Sequence, residues 1–123
     1  MSVEQPQDIR ERAFKFTCDL FDYCEELTTL PGMARRVAYQ LFDAGGSVGA
    51  NLEEAKAAYS RREFAAKNAI ALKESREAKY WLRVGDAKGL GPRDRRKHLL
   101  RESDELVAIL TATVKRLQTS LDP

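Results

Sequence analysis

Apolar residues recur at threes and fours along almost the whole chain. Ile9, Ala13, Phe16, Leu20, Cys24 and Leu27 form one stripe, and Val37, Leu41, Val48, Leu52 and Ala55 a second. Leu99, Leu106, Leu110, Val114, Leu117 and Leu121 form the last. This is the period of amphipathic helices, and no alternating strand pattern or internal repeat competes with it. The expected fold is therefore all-α, with helices over about residues 7–30, 33–57, 61–84 and 92–119. Short turns between them make an antiparallel up-down four-helix bundle the default.

Local signals place the boundaries. Pro31-Gly32 ends the first helix, whose Phe14 and Phe21 widen its apolar stripe and suggest more than one neighbour. Ser60-Arg61-Arg62-Glu63 fits a capping box, in which serine hydroxyl and glutamate carboxylate accept from each other's backbone amides. On the third helix Phe64, Ala71, Ala78 and Leu82 fall on one face, with Arg62, Lys73, Arg76 and Arg83 opposite. Gly85 to Gly91 reads as the one long loop, and Pro92 suits the first residue of the fourth helix.

With 123 residues and 43% hydrophobic side chains, the chain reads as one domain able to bury a core without staples. It has no apolar run of about 18 residues, and MSVEQPQDIRERAF lacks the apolar segment of an export leader. A soluble, cytoplasmic protein without membrane contact is the expectation. Cys18 and Cys24 are separated by about 9 Å of helical rise, beyond disulfide reach, and read as reduced, buried thiols. With one histidine, His98, neither zinc spacing nor a di-iron Glu-x-x-His pair is present. No metal or cofactor is expected, and His98 reads as a surface or cap residue without a carboxylate partner.

Three glycines sit within the second helix, in GGSVGANLEEA. Each costs roughly 1 kcal/mol relative to alanine inside a helix. A phosphate-binding Walker loop needs Lys and Ser or Thr after its last glycine, and a dinucleotide fingerprint needs a preceding strand; both are missing. Gly45 with Gly49, and Gly46 with Ala50, instead form small-x-x-x-small ridges that let another backbone come close. The steric logic known from membrane helices applies equally to a soluble bundle.

Two polar groupings carry the functional candidates. Asn51 and Glu54 on the second helix, with Lys73, Glu74 and Glu77 on the third, read as a structural network fixing helix register or subunit contacts, or as a catalytic carboxylate pair that lacks a nucleophile or metal ligand. The second grouping is basic: Arg61, Arg62, Lys73, Arg76 and Arg83, then Arg93, Arg95, Arg96, Lys97 and Arg101. Residues 61–101 hold 13 basic and 5 acidic side chains, whereas residues 1–30 hold 3 and 7. Cations at a helix N-terminus oppose the macrodipole, so the cluster opening the fourth helix is not explained by helix stability. Phosphate binding accounts for it; so does a solvated face with Lys73 and Glu77 paired at i, i+4, or contact with the acidic first helix of another subunit. Tyr80 and Trp81 read as core or interface packing, Trp81 on the flank shared with Ile70.

The strings Ser47-x-x-x-Asn51-Leu52-x-Glu54-Ala55, Ser60-x-x-x-Phe64-x-x-Lys67 and Ala71-Leu72-Lys73-Glu74-x-x-Glu77-x-x-Tyr80-Trp81-Leu82 resemble the bacterial four-helix-bundle proteins encoded in intervening sequences of 23S ribosomal RNA genes. The resemblance is dense from Ser47 to Leu82; the outer helices agree in pattern only. It implies a ring-shaped homopentamer and kinship with the accessory proteins of diversity-generating retroelements, which bind nucleic acid through a basic surface. It implies no catalytic residues. The segment Gly85 to Lys97 departs from the simplest members. The function expected is thus a non-enzymatic, self-assembling bundle that binds RNA or DNA non-specifically; the alternative is a structural or protein-interaction scaffold without nucleic-acid binding.

Overall fold

The computed structural model describes residues 8–121 and contains, among them, four helices and no strand: α1 (Ile9–Thr28), α2 (Ala34–Lys56), α3 (Arg61–Ala87) and α4 (Arg93–Leu121). Gln7, where the first helix is expected to begin, lies outside the described residues. The Asp8 carboxylate opens α1 by accepting from the Arg10 amide at 2.9 Å. The Ser60 hydroxyl opens α3 by accepting from the Glu63 amide at 3.0 Å. The return bond differs from the expected box: the Glu63 carboxylate accepts from Tyr59 N–H at 2.9 Å, one residue before Ser60.

Neighbours in sequence are neighbours in space, as the short connections require. Antiparallel order shows in the pairs across each seam. Between α1 and α4, Arg12 meets Glu102, Asp19 meets His98 and Glu26 meets Arg95, so one chain descends as the other ascends. Lys79 with Asp104 and Asp86 with Lys97 do the same for α3 and α4. The α1–α4 contact is sparse beside the other three.

Phe16, Leu20, Tyr23, Leu27, Leu41, Leu82, Leu99 and Leu106 fill one half of the core. Ala13, Val48, Leu52, Ala71, Leu110 and Val114 fill the other. The α3 contribution differs from the expected stripe. Phe64 is 39% exposed in the first turn, while Ala65, Asn68, Ser75 and Gly85 are buried. The buried Asn68 amide donates to Phe64 O at 2.9 Å and the Ser75 hydroxyl to Leu72 O at 2.7 Å, so each bonds back to its own helix.

The glycine ridge of α2 faces α1. A Cβ at Gly45 would lie inside the Leu20 side chain. At Gly49 it would stand 3.6 Å from Ala13 Cβ and 3.7 Å from the Ala13 carbonyl carbon, an ordinary contact distance. Both glycines mark close helix approach, but only Gly45 requires the absence of a side chain. Gly46 would place a Cβ 4.0 Å from Thr17, and Ala50 is exposed.

The predicted loop from Gly85 to Gly91 begins as helix, its first three residues belonging to α3. α3 continues to Ala87 because Gly85 lies under the Tyr23 hydroxyl, 2.5 Å from where a Cβ would be, so a small residue is needed inside the helix there. The true turn covers 88–92. Gly91 has φ 72°, and a Cβ there would be 3.0 Å from the Tyr23 ring, so both backbone and space select glycine. The buried Tyr23 hydroxyl donates to Leu90 O at 3.0 Å; burial pushes its pKa up to about 12, which keeps it a donor. Asp86 accepts from Lys97 at 2.8 Å and Arg96 at 3.1 Å, and Arg96 also donates to Gly91 O. These residues tie both sides of the turn together. Pro92 lies just before α4, its carbonyl accepting from Arg96 N–H at 3.1 Å.

Two stability predictions follow from this packing. Gly45→Ala should overpack the Leu20 site and lower unfolding free energy by about 1–3 kcal/mol, while Gly49→Ala should gain up to about 1 kcal/mol from helix propensity; urea denaturation checks the opposite signs. Hydrogen bonds from Lys97 and Arg96 hold the Asp86 carboxyl below its ordinary pKa. A depressed carboxylate contributes stability above its unfolded value, near pH 4, and loses it as pH falls through the lower folded value. The stability advantage of the native chain over Asp86→Asn should therefore hold from neutral pH to about 5 and shrink below about 4.

Candidate nucleic-acid interface

The basic side chains divide into engaged and unengaged sets. Arg61 donates to the Ser120 hydroxyl at 3.1 Å. Arg95 pairs with Glu26 at 2.7 Å, closing the α1–α4 seam. Arg96 and Lys97 share Asp86. Three cations of the cluster opening α4 are thus consumed within the fold, which supplies the stabilising reason for their position that the helix dipole denies. Arg62, Lys73, Arg76, Arg83, Arg93 and Arg101 are exposed and have no ion-pair partner among the described residues.

The unengaged set lies in two places. Arg62, Lys73 and Arg76 run along the outer face of α3. Arg83, Arg93 and Arg101 belong to the end where α3 hands over to α4, and the exposed Lys88, which ends α3, joins them. Arg83 lines a shallow groove there with Tyr80, Val84, Asp86, Ala87 and Leu100. Lys88 was hidden in the sequence because its stretch reads as loop; its charge within a glycine-rich segment was the available signal. Asp86, the nearest acid on α3, is already neutralised by Arg96 and Lys97, so it does not cancel the positive field of this end.

The grouping of Asn51, Glu54, Lys73, Glu74 and Glu77 does not form one network. The Asn51 amide donates to Ser47 O at 2.8 Å on its own helix. Glu54 accepts from Lys67 at 3.0 Å, a partner not included in the expected set. Lys73 and Glu77 are exposed and Glu74 half-buried, and no ion pair among the described residues joins any of them to the others. The physical reason is register: Glu54, near the end of α2, meets Lys67 near the start of the antiparallel α3, whereas Lys73, Glu74 and Glu77 lie about 9–15 Å further along that helix.

Other singled-out residues also find places. His98 Nε2 lies 3.3 Å from Asp19 Oδ2 on the α1–α4 seam, a carboxylate partner that sequence separation concealed. Cys24 is buried, and burial pushes its thiol pKa up to about 12; Cys18 is exposed, contrary to expectation, because it falls on the outer side of α1. Half-buried Trp81 meets Tyr80 edge-on at 5.1 Å. Between α1 and α2, Phe21 and Phe42 also meet edge-on, at 6.0 Å, in an open apolar groove with Tyr39 and Ala38. The aromatic surface was legible as excess apolar residues on α1, but not as an exposed face.

Among the described residues no group of three or more His, Cys, Asp or Glu side chains is placed to hold a metal ion. No helix of the described chain is long and apolar enough to cross a membrane. The site offers unpaired cations and shallow grooves, which suit an extended anionic or helical partner better than an enclosed small molecule.

Comparison with known proteins agrees with this architecture. A crystal structure of a protein of unknown function from the S23 ribosomal protein family of Bacteroides thetaiotaomicron VPI-5482 superposes with a TM-score of 0.76 and 27% sequence identity. The match covers 88% of this chain and 99% of that one. No curated protein matches. The profile of the family described as 23S rRNA-intervening sequence protein spans residues 5–112, reaching from α1 through most of α4, and the chain belongs to that family.

Proposed function

We propose that this chain is a non-enzymatic, cytoplasmic bundle that assembles with copies of itself into a ring, in which repeated basic surfaces bind RNA or DNA without sequence preference. The observation that carries the reading is the set Arg83, Lys88, Arg93 and Arg101 at one end of the bundle, exposed and unneutralised among the described residues. A single copy offers few phosphate contacts. A ring of five multiplies them on one ligand and converts weak contacts into avid binding. The proposed kinship with the accessory proteins of diversity-generating retroelements supports the same assignment.

Dispersed carboxylates favour binding over catalysis: Glu54 is paired to Lys67, away from Glu74 and Glu77. A second reading, a protein-interaction scaffold without nucleic-acid binding, draws on the aromatic groove of Phe21, Tyr39 and Phe42. The two readings separate by salt response, because counterion release belongs to phosphate contacts and not to apolar docking.

Anisotropy of a labelled structured RNA, titrated with protein between about 50 and 200 mM salt, checks the proposal. Affinity should fall steeply with salt. Arg83→Gln, Arg93→Gln and Arg101→Gln together should weaken binding and flatten the slope by about 0.7–0.9 per lost phosphate contact. Light scattering should show the assembly unchanged. Full binding by the triple variant would remove the α3–α4 end from consideration; salt-insensitive binding would favour the scaffold.

A further inference from the structure

Two exposed faces of the bundle are complementary to each other. On α1, Glu11, Phe14, Cys18, Phe21 and Glu25 recur at threes and fours on the outside, with Phe14 64% and Phe21 51% exposed. On α3, Arg62, Ala66, Ala69, Lys73 and Arg76 repeat that spacing; Ala69 is half-buried and the rest exposed. Such a seam is the pattern by which one helix seats another. The first face is aromatic between two carboxylates, and the second is small in its centre and cationic at both ends. Glu11 and Glu25 bracket the same length of helix as Arg62 and Arg76, about 21 Å at 1.5 Å per residue. None of these four side chains has an ion-pair partner among the described residues.

We propose that the α1 face of one copy docks on the α3 face of a second copy, with Cys18 against Ala69, one phenyl ring over Ala66 and the other against Lys73, and the carboxylates against the guanidinium groups. This rests on the self-assembly reading above and identifies its contact. The charges argue for unlike partners. Two α1 faces would oppose Glu11 and Glu25 to like charges, and two α3 faces would oppose arginine to arginine. A contact between unlike faces is heterologous: each copy donates one face and receives on the other, which generates a ring when the rotation closes. Arg62, Lys73 and Arg76 then serve assembly, leaving Arg83, Lys88, Arg93 and Arg101 for phosphate. The two cationic sets therefore have separable roles.

Cys18 and Ala69 are the central positions of the two stretches, so they meet whether the docked helices run parallel or antiparallel. Ala69→Cys provides a direct test, because Cys18 is exposed while Cys24 is buried. Treated with a short bismaleimide, the variant should give a ladder of covalent multimers beyond the dimer on a denaturing gel, and the native chain a single band. Light scattering run alongside separates this inference from the reading beneath it. Assembled protein without a ladder, or dimers of the native chain through Cys18, would overturn the proposed docking and leave assembly standing; a monomer would overturn both. Charge reversal supplies a second readout. Glu11→Lys with Glu25→Lys should reduce the assembly to monomers, and adding Arg62→Glu with Arg76→Glu should restore its mass; failure to restore it would refute the pairing.

Discussion

The close approach of α2 to α1 at Gly45 and Gly49 sets the rest of the bundle. With Leu20 occupying the space a Gly45 side chain would take, and Ala13 against Gly49, the two helices pack along most of their length. α1 therefore sits deep, and its Tyr23 reaches the far turn, where it bonds Leu90 and limits both Gly85 and Gly91 to glycine. A contact between the first two helices thus helps position the turn between the last two. Deep packing of α1 on one side also fixes which side stays outside, and that outer side carries Phe14, Cys18 and Phe21.

The helices were legible because apolar spacing survives in α1, α2 and α4. It was weakest in α3, whose buried face includes alanine, asparagine, serine and glycine, residues that add little to a hydrophobic count. By spacing alone Phe64 therefore reads as a core anchor, while nothing in the pattern marks Asn68 and Ser75 as buried. Their burial is possible only because each hydrogen-bonds its own helix, a compensation that composition does not reveal. Gly45 and Gly49 are legible as packing residues, but a helical ridge does not state which neighbour it meets, and here it meets α1.

The basic cluster shows the same limit. Its composition is plain in the sequence, but its chemistry depends on pairings that cross the fold. Arg95 reaches Glu26 on α1, and Arg96 and Lys97 reach Asp86, an acid in a stretch that reads as loop until Gly85 is seen inside α3. Only those distances separate the structural cations from the available ones. It also divides the segment from Gly85 to Lys97: much of it serves to pin a turn, while Lys88 and Arg93 remain exposed.

Salt sensitivity can be attributed to binding only if the bundle itself tolerates salt, and the α1–α4 seam is where that condition could fail. Its pairs, Arg12 with Glu102, Asp19 with His98 and Glu26 with Arg95, are partly or well exposed. Exposed pairs contribute at most about 1 kcal/mol each and are screened as ionic strength rises. Burial of Phe16, Leu20, Leu99 and Leu106 behind that seam does not depend on ionic strength in the same way. The seam pairs then act chiefly to select register, since sliding α4 by one turn along α1 would move Arg95 off Glu26. A loss of RNA affinity at moderate salt, with helix content and assembled mass both unchanged, is consequently a property of the phosphate contacts and not of an opening bundle or a dissociating ring.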